Sequence, residues 1–360
     1  MSACSWAARP SPRPGRASPA GSPRKVDARA PSAVQNIRPL RSPRAMTTLT
    51  SSEYFQLALG RCEDLPAVRT GVVHPVKANV IEAVADAVSE QLIDPVLIGP
   101  ADRIRAAAQE AGIDISTWEV IDTEHSHAAA AKAVSLAAAG ELDALMKGSL
   151  HTDELLGAIV HADSGLRTER RISHAFVMHI ESYPKPFIIT DAAVNISPGL
   201  ATKADIVQNA VNLWHVALNG SDELPKVAVL AAVETVNPRM CATLDAAALS
   251  KMADRGQITG ALVDGPLAFD NAISAAAAKE KGIVSPVAGH ADILLVPEIE
   301  AGNMLAKQLT FLGGADAAGI VLGARVPIIL TSRADNLRAR LLSCVLAVLL
   351  ADARRTGRIK

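Results

Sequence analysis

Ser332-Arg333-Ala334-Asp335 brings a hydroxyl, a guanidinium and a carboxylate together within four residues. Arg333 can grip phosphate through its fork of N–H donors, Ser332 can hydrogen-bond a developing oxyanion, and Asp335 can take a proton. The same four residues also suit a plain helix start, with Ser332 or Asp335 as the cap. A second set is Met146-Lys147-Gly148-Ser149-Leu150-His151-Thr152. It has one glycine and its order is reversed from the Gly-Lys-Ser/Thr of a Walker loop. Lys147, Ser149, His151 and Thr152 would still serve an anionic substrate; a turn followed by a helix cap is the other reading. A third set, Arg167, Arg170 and Arg171 after Gly165, puts three cations within five residues, either to hold phosphate groups or as a solvated loop.

Other chemistries find little support. His125 and His127 would point to different faces of a helix start, and no H-E-x-x-H or carboxylate-rich cluster marks a metal site. Cys4, Cys62, Cys241 and Cys344 lie far apart, so neither a disulfide framework nor a zinc site is indicated, which suits a reducing compartment such as the cytoplasm. Cys344 falls in the apolar run 341–350 and reads as core; no neighbour marks an activated thiolate. No G-x-G-x-x-G occurs, which argues against a dinucleotide site.

These residues need strand ends and helix starts to hold them. Strand-like runs at 70–73, 95–98, 119–121 and 144–146 alternate with helical stretches at 76–92, 101–111, 125–138 and 152–161. A second series has strands at 175–179, 187–190, 227–230, 262–263 and 293–296, with helices at 203–218, 242–255 and 302–312. Strand 327–330 and helix 335–353 close the chain. The alternation predicts an α/β fold with mainly parallel sheets. In such sheets ligands bind beyond the carboxyl ends of the strands, where Lys147-Gly148-Ser149 and Thr331-Ser332-Arg333 fall, each just before a helix N-terminus that attracts phosphate.

The chain of 360 residues is 49% hydrophobic and only 3% aromatic, so its core must be built from Ala, Val, Leu and Ile. No apolar run reaches the roughly 18 residues of a membrane span. Residues 1–45 hold eight Arg and one Lys against one Asp, whereas the rest holds 27 basic and 36 acidic residues. The acidic body argues against nucleic acid as a partner. Residues 1–45 read as a disordered basic segment: a transit peptide, a basic arm, or sequence upstream of a start at Met46. The last is favoured, because every recognisable element lies after Met46.

Several stretches together resemble the phosphate acetyl/butyryltransferase family. They are Leu145–Leu155 (LMKGSLHTDEL), Gly165–Val177 (GLRTERRISHAFV), Ile189–Asn195 (ITDAAVN), Ala232–Pro238 (AVETVNP), Val263–Ser274 (VDGPLAFDNAIS), Ala291–Asn303 (ADILLVPEIEAGN) and Pro327–Asp335 (PIILTSRAD). The likeness runs from about Val68 to Leu350 and is nearest to the phosphate acetyltransferase half of proteins that also carry an enoyl-CoA hydratase domain. It implies two α/β domains around an active-site cleft, in the manner of isocitrate and isopropylmalate dehydrogenases. They would comprise residues 46–160 plus 315–360, and 161–314. It further implies coenzyme A, acyl-CoA, phosphate and acyl phosphate as substrates, no cofactor or metal in the chemistry, and a homodimer; the lack of a long apolar run speaks against a membrane partner. Ser332 and Arg333 match the family's transition-state serine and phosphate-binding arginine; Lys147, Ser149, His151, Thr152 and Asn303 fall in its substrate-binding motifs.

Two positions depart from the better-known acetyltransferases. Gly157 stands where those carry an arginine, and Ala339 where they carry the catalytic aspartate. The butyryl-type branch shares both departures and continues Ser-Arg-Ala-Asp-Ser, where this chain has Asn336. Asp335 is thus the candidate base, and Arg167, Arg170 or Arg171 the candidates to replace the missing cation. The rival readings are a decarboxylating dehydrogenase of related fold, which would need a carboxylate metal set and a nucleotide loop, and a non-catalytic paralogue.

Overall fold

The computed structural model describes residues 50–218, 223–330 and 336–359. In chain order they form α1 (Ser51–Gly60), β1 (Val68–Val73), α2 (Ala78–Ser89), β2 (Ile93–Gly99), α3 (Ala101–Ala111), β3 (Glu119–Asp122), α4 (Ser126–Ala139), β4 (Ala144–Lys147) and α5 (Thr152–Val160). There follow β5 (Ser173–His179), β6 (Phe187–Thr190), α6 (Leu200–Ala217), β7 (Lys226–Leu230), α7 (Cys241–Asp254), β8 (Leu262–Leu267), α8 (Phe269–Ile273) and α9 (Ala275–Glu280). The last elements are β9 (Ile293–Leu295), α10 (Ile299–Phe311), β10 (Asp316–Leu322), β11 (Ile328–Ile329) and α11 (Leu337–Arg355).

The strands make one sheet in the order β3-β2-β1-β4-β11-β10-β5-β6-β9-β7-β8. Strands β3 to β11 of that order are mutually parallel, as are β6, β9, β7 and β8. The two blocks meet through antiparallel β10 and β5. Val72, Leu97, Ile98 and Leu145 are fully buried, as expected of parallel strands covered on both faces. The α/β class with a mainly parallel sheet is therefore as the alternation predicts.

Four elements escape the sequence pattern. Helix α1 opens on a capping box: the Glu53 N–H donates to Thr50 Oγ1 at 3.2 Å and the Thr50 N–H to Glu53 Oε2 at 2.8 Å. Strand β10 reads DAAGIVL; its small residues lack the β-branched signature, yet it sits at the centre of the sheet. Helices α8 and α9 divide a stretch of alanines. Helix α11 also begins later than expected, because Asn336 caps it by accepting the Ala339 N–H at 2.9 Å. The expected caps, Ser332 and Asp335, lie outside the described residues.

The core is continuous on one face of the sheet and divided on the other. Helices α1, α2, α3, α6, α7 and α11 share one apolar cluster. Opposite them, α4 and α5 cover β1, β4 and β11, while α8, α9 and α10 cover β6, β7 and β9. Between those two clusters the floor is β10 and β5, which present Gly319, His174 and Phe176.

Candidate active site

At the carboxyl end of the first parallel block, the turn after β4 is laced to the end of β1. The Gly148 N–H donates to Val73 O at 3.0 Å and the Ser149 N–H to His74 O at 2.9 Å. A side chain on Gly148 could not fit: its Cβ would stand 2.3 Å from Val73 O. His74 takes φ +57°, uncommon for a non-glycine residue, and packs over Gly99 at the end of β2. Its imidazole is buried and Nδ1 has no partner; burial, with Arg103 nearby, holds its pKa below the ordinary value.

This lacing sets Lys147, Ser149, His151 and Thr152 in one turn. Lys147 is half-buried, with Nζ 3.3 Å from Gly148 O. Ser149 Oγ is buried without a partner. His151 is exposed at the cap of α5, and its N–H donates to Glu154 Oε1 at 3.4 Å; Thr152 opens the helix. A bond from Ser126 and that His151 N–H hold the Glu154 carboxyl below its usual range. His151 takes the cap position of the helix, while the buried Ser149 hydroxyl has no partner.

Ser332, Arg333 and Asp335 lie outside the described residues. Their flanks are fixed. Strand β11 runs parallel to β4, with Ile329 opposite Met146, so Leu330 falls beside Lys147. The Leu330 carbonyl lies 2.9 Å from where a Cβ on Gly319 would stand, and His174 Nε2 lies 3.1 Å from that same point. His174 is buried with Nδ1 unpartnered. Burial holds its imidazole down to about 4, partly offset by Asp191. Asp191, also buried, accepts the N–H groups of Ala193, Val194 and Asn195 at 3.0–3.1 Å and Asn195 Nδ2 at 2.6 Å. Asn303, near the start of α10, donates from Nδ2 to Ala192 O at 3.3 Å, which ties it to this second cluster.

The arginine cluster lies elsewhere. Arg171 precedes the start of β5, about five residues before the level of Lys147 on a strand of the same direction. That is about 16 Å along the strands and about 14 Å across them. Arg167 is exposed and bridges to Ala324. Arg170 Nη1 lies 2.8 Å from the Asn212 side-chain amide, on the α6 face of the sheet. The fold brings Lys147, Ser149, His151 and Thr152 together and leaves Arg167, Arg170 and Arg171 apart from them.

His74, His174 and Asp191 were not singled out by sequence reasoning. A usable signal exists in each case: a histidine or aspartate at a strand end, or inside an apolar strand. Among the described residues no group of three His, Cys, Asp or Glu could hold a metal ion. Cys344 is fully buried and its thiol is pushed up to about 12 by burial, as expected of a core residue. No helix among the described residues is long and apolar enough to cross a membrane.

Known proteins share this sequence and fold. Residues 126–348 match the family described as "Phosphate acetyl/butaryl transferase". The chain is 58% identical over 297 residues to a phosphate acetyltransferase of Rickettsia prowazekii, covering 82% of this chain and 84% of that protein. It is 54% identical to a phosphate acetyltransferase of Rhizobium meliloti, covering 86% and 96%. It is 43% identical to a phosphate butyryltransferase of Clostridium acetobutylicum, covering 76% and 89%. A branched-chain phosphotransacylase from Enterococcus faecalis superposes with a TM-score of 0.69 at 30% identity, over 79% of this chain and 99% of that one. With the family match spanning more than half of its length, the chain belongs to the phosphate acetyl/butyryltransferase family.

Proposed function

We propose that the chain is a phosphate acetyltransferase, which converts acetyl-CoA and inorganic phosphate to acetyl phosphate and CoA. The observation that carries this is the identity gap: 58% and 54% to acetyltransferases against 43% to a butyryltransferase. Transfer proceeds directly within a ternary complex. In the direction of acetyl-CoA synthesis the CoA thiol, with a pKa of about 8.5, must lose its proton to attack. Asp335 is the candidate base. Arg333 holds the departing phosphate and Ser332 donates to the tetrahedral oxyanion, with Lys147 and the Ser149 hydroxyl beside them at the end of β4.

We read the two parallel blocks of the sheet, with their separate core clusters on one face, as two domains with the substrates between them. We also propose a cytoplasmic homodimer, as the family resemblance implies; light scattering tests the oligomeric state. The test of the activity is CoA release from acetyl-CoA and butyryl-CoA in phosphate. Extra methylenes in an apolar pocket discriminate by about tenfold or more, so kcat/KM should favour acetyl-CoA by at least that. Equal or higher efficiency with butyryl-CoA would overturn the acetyl assignment, and no thiol release from either would overturn the enzyme.

A further inference from the structure

Helix α1 covers a cavity that the activity does not use. It lies between α1, the end of α6 and the middle of α11, with a volume of about 190 Å³. Its walls are apolar: Tyr54 and Ala58 from α1, Ala217 from α6, and Leu342, Val345 and Leu346 from α11. It opens to the surface beside Leu57, which is 59% exposed. An apolar cavity of about 150 Å³ stays dry and accepts benzene, so this one is large enough for a short alkyl chain.

One charged residue belongs to the same cavity. Arg61, just beyond α1, donates from Nη1 to Ala217 O and from Nη2 to Val216 O, the latter at 2.7 Å. These carbonyls end α6 and orient the guanidinium without balancing its charge. Among the described residues no carboxylate stands within ion-pair distance of Arg61. Arg61 is exposed, and partial burial lowers its pKa, with Cys62 and Tyr54 opposing that shift and Arg358 adding to it. An apolar cavity with an exposed guanidinium at its mouth matches a molecule with an alkyl chain and an anionic head.

We propose that this cavity is a binding site for a short linear carboxylate, with the alkyl chain between α1 and α11 and the carboxylate on Arg61. Leu342, Val345 and Leu346 contribute one wall from the helix that starts at Asn336, so the ligand would bear on the element next to the serine–arginine motif. The site does not depend on the acyltransfer reading.

The experiment is calorimetric titration of the full chain with two probes, hexanoate and hexan-1-ol. Ligands of about eight heavy atoms reach dissociation constants of about millimolar, and that is expected for hexanoate. Ala58→Leu, which fills the cavity with a residue equally suited to a helix, should weaken both probes at least tenfold. Arg61→Gln should weaken hexanoate by about tenfold, as loss of one charge-assisted contact does, and leave hexan-1-ol unchanged. Saturation-transfer NMR on the unsubstituted chain should mark the terminal methyl of hexanoate most strongly, a readout that needs no variant to fold. Absence of binding at about 10 mM, well above the expected constant, would refute the site, as would hexanoate affinity indifferent to both substitutions.

Discussion

Gly148→Ala is the substitution that tests whether the laced turn after β4 positions the chemistry. The new Cβ would stand 2.3 Å from Val73 O, 2.9 Å from His74 O and 3.0 Å from the His74 carbonyl carbon. All three are backbone atoms at the buried end of β1, which cannot yield, so the turn must retreat by about 1 Å to reach van der Waals contact. That movement breaks the Gly148–Val73 and Ser149–His74 hydrogen bonds, each worth about 1 kcal/mol net. Overpacking adds about 1–3 kcal/mol, a destabilisation of about 3–5 kcal/mol in all. A misplacement of about 1 Å costs about 10²-fold in rate. Gly157→Ala is the matched control. Gly157 is exposed on α5 with nothing within 4 Å of the point where a Cβ would stand, so alanine there should stabilise by about 0.5–1 kcal/mol and leave turnover unchanged. Thermal melts and initial rates of CoA release measure both. A Gly148→Ala enzyme with the melting temperature and turnover of the unsubstituted protein would refute the reasoning.

Arg333→Ala should lower turnover by about 10² or more with no change in melting temperature; near-normal turnover would remove Arg333 from the mechanism. Asn336→Ala should cost about 1 kcal/mol of stability through loss of the α11 cap, whereas Asn336→Ser should cost little, and equal melts for the two variants would show that the cap carries no stability. His174 is held neutral by burial to about 4 against an unfolded value of about 6.5. Because its folded pKa is depressed, the unfolded chain binds the proton first, so stability from this group is complete above about pH 6.5 and declines toward pH 4. His174→Gln should flatten that part of a pH–stability profile, and an unchanged slope in the variant would acquit His174.

Much of the fold was legible in the sequence because most strands carry their own signature. A run such as PVLI at 95–98 is short, apolar and bounded by helical stretches, which is what a parallel strand buried on both faces requires. Strand β10 was hidden because Ala317, Ala318 and Gly319 are small. The fold explains the glycine: a Cβ there would meet Leu330 O at 2.9 Å and His174 Nε2 at 3.1 Å. The site was legible in part, for a similar reason. Lys147 and Ser149 follow a strand, and the strand-end rule finds them. The side on which Arg170 lies was not legible, because linear spacing cannot tell which face of the sheet a loop side chain takes, and its approach to the Asn212 side-chain amide puts it on the face of α6.

The polar residues of the central strands also account for the divided core. His174 and Gly319 lie on the face where α4 and α5 end and α8 to α10 begin. A buried imidazole with an unpartnered nitrogen costs about 1–3 kcal/mol, and a glycine inside a strand weakens it further. On the opposite face of the same strands, Ala318, Ile320, Ala175 and Val177 join one unbroken cluster with α6 and α11. Apolar packing is thus concentrated on one face, which can be continuous because nothing need enter it, except beneath α1. The other face is interrupted where β10 and β5 lie side by side. That interruption adjoins the end of β11, next to Lys147, so the proposed site at the strand ends sits where no helix of the described residues has to be displaced to open it.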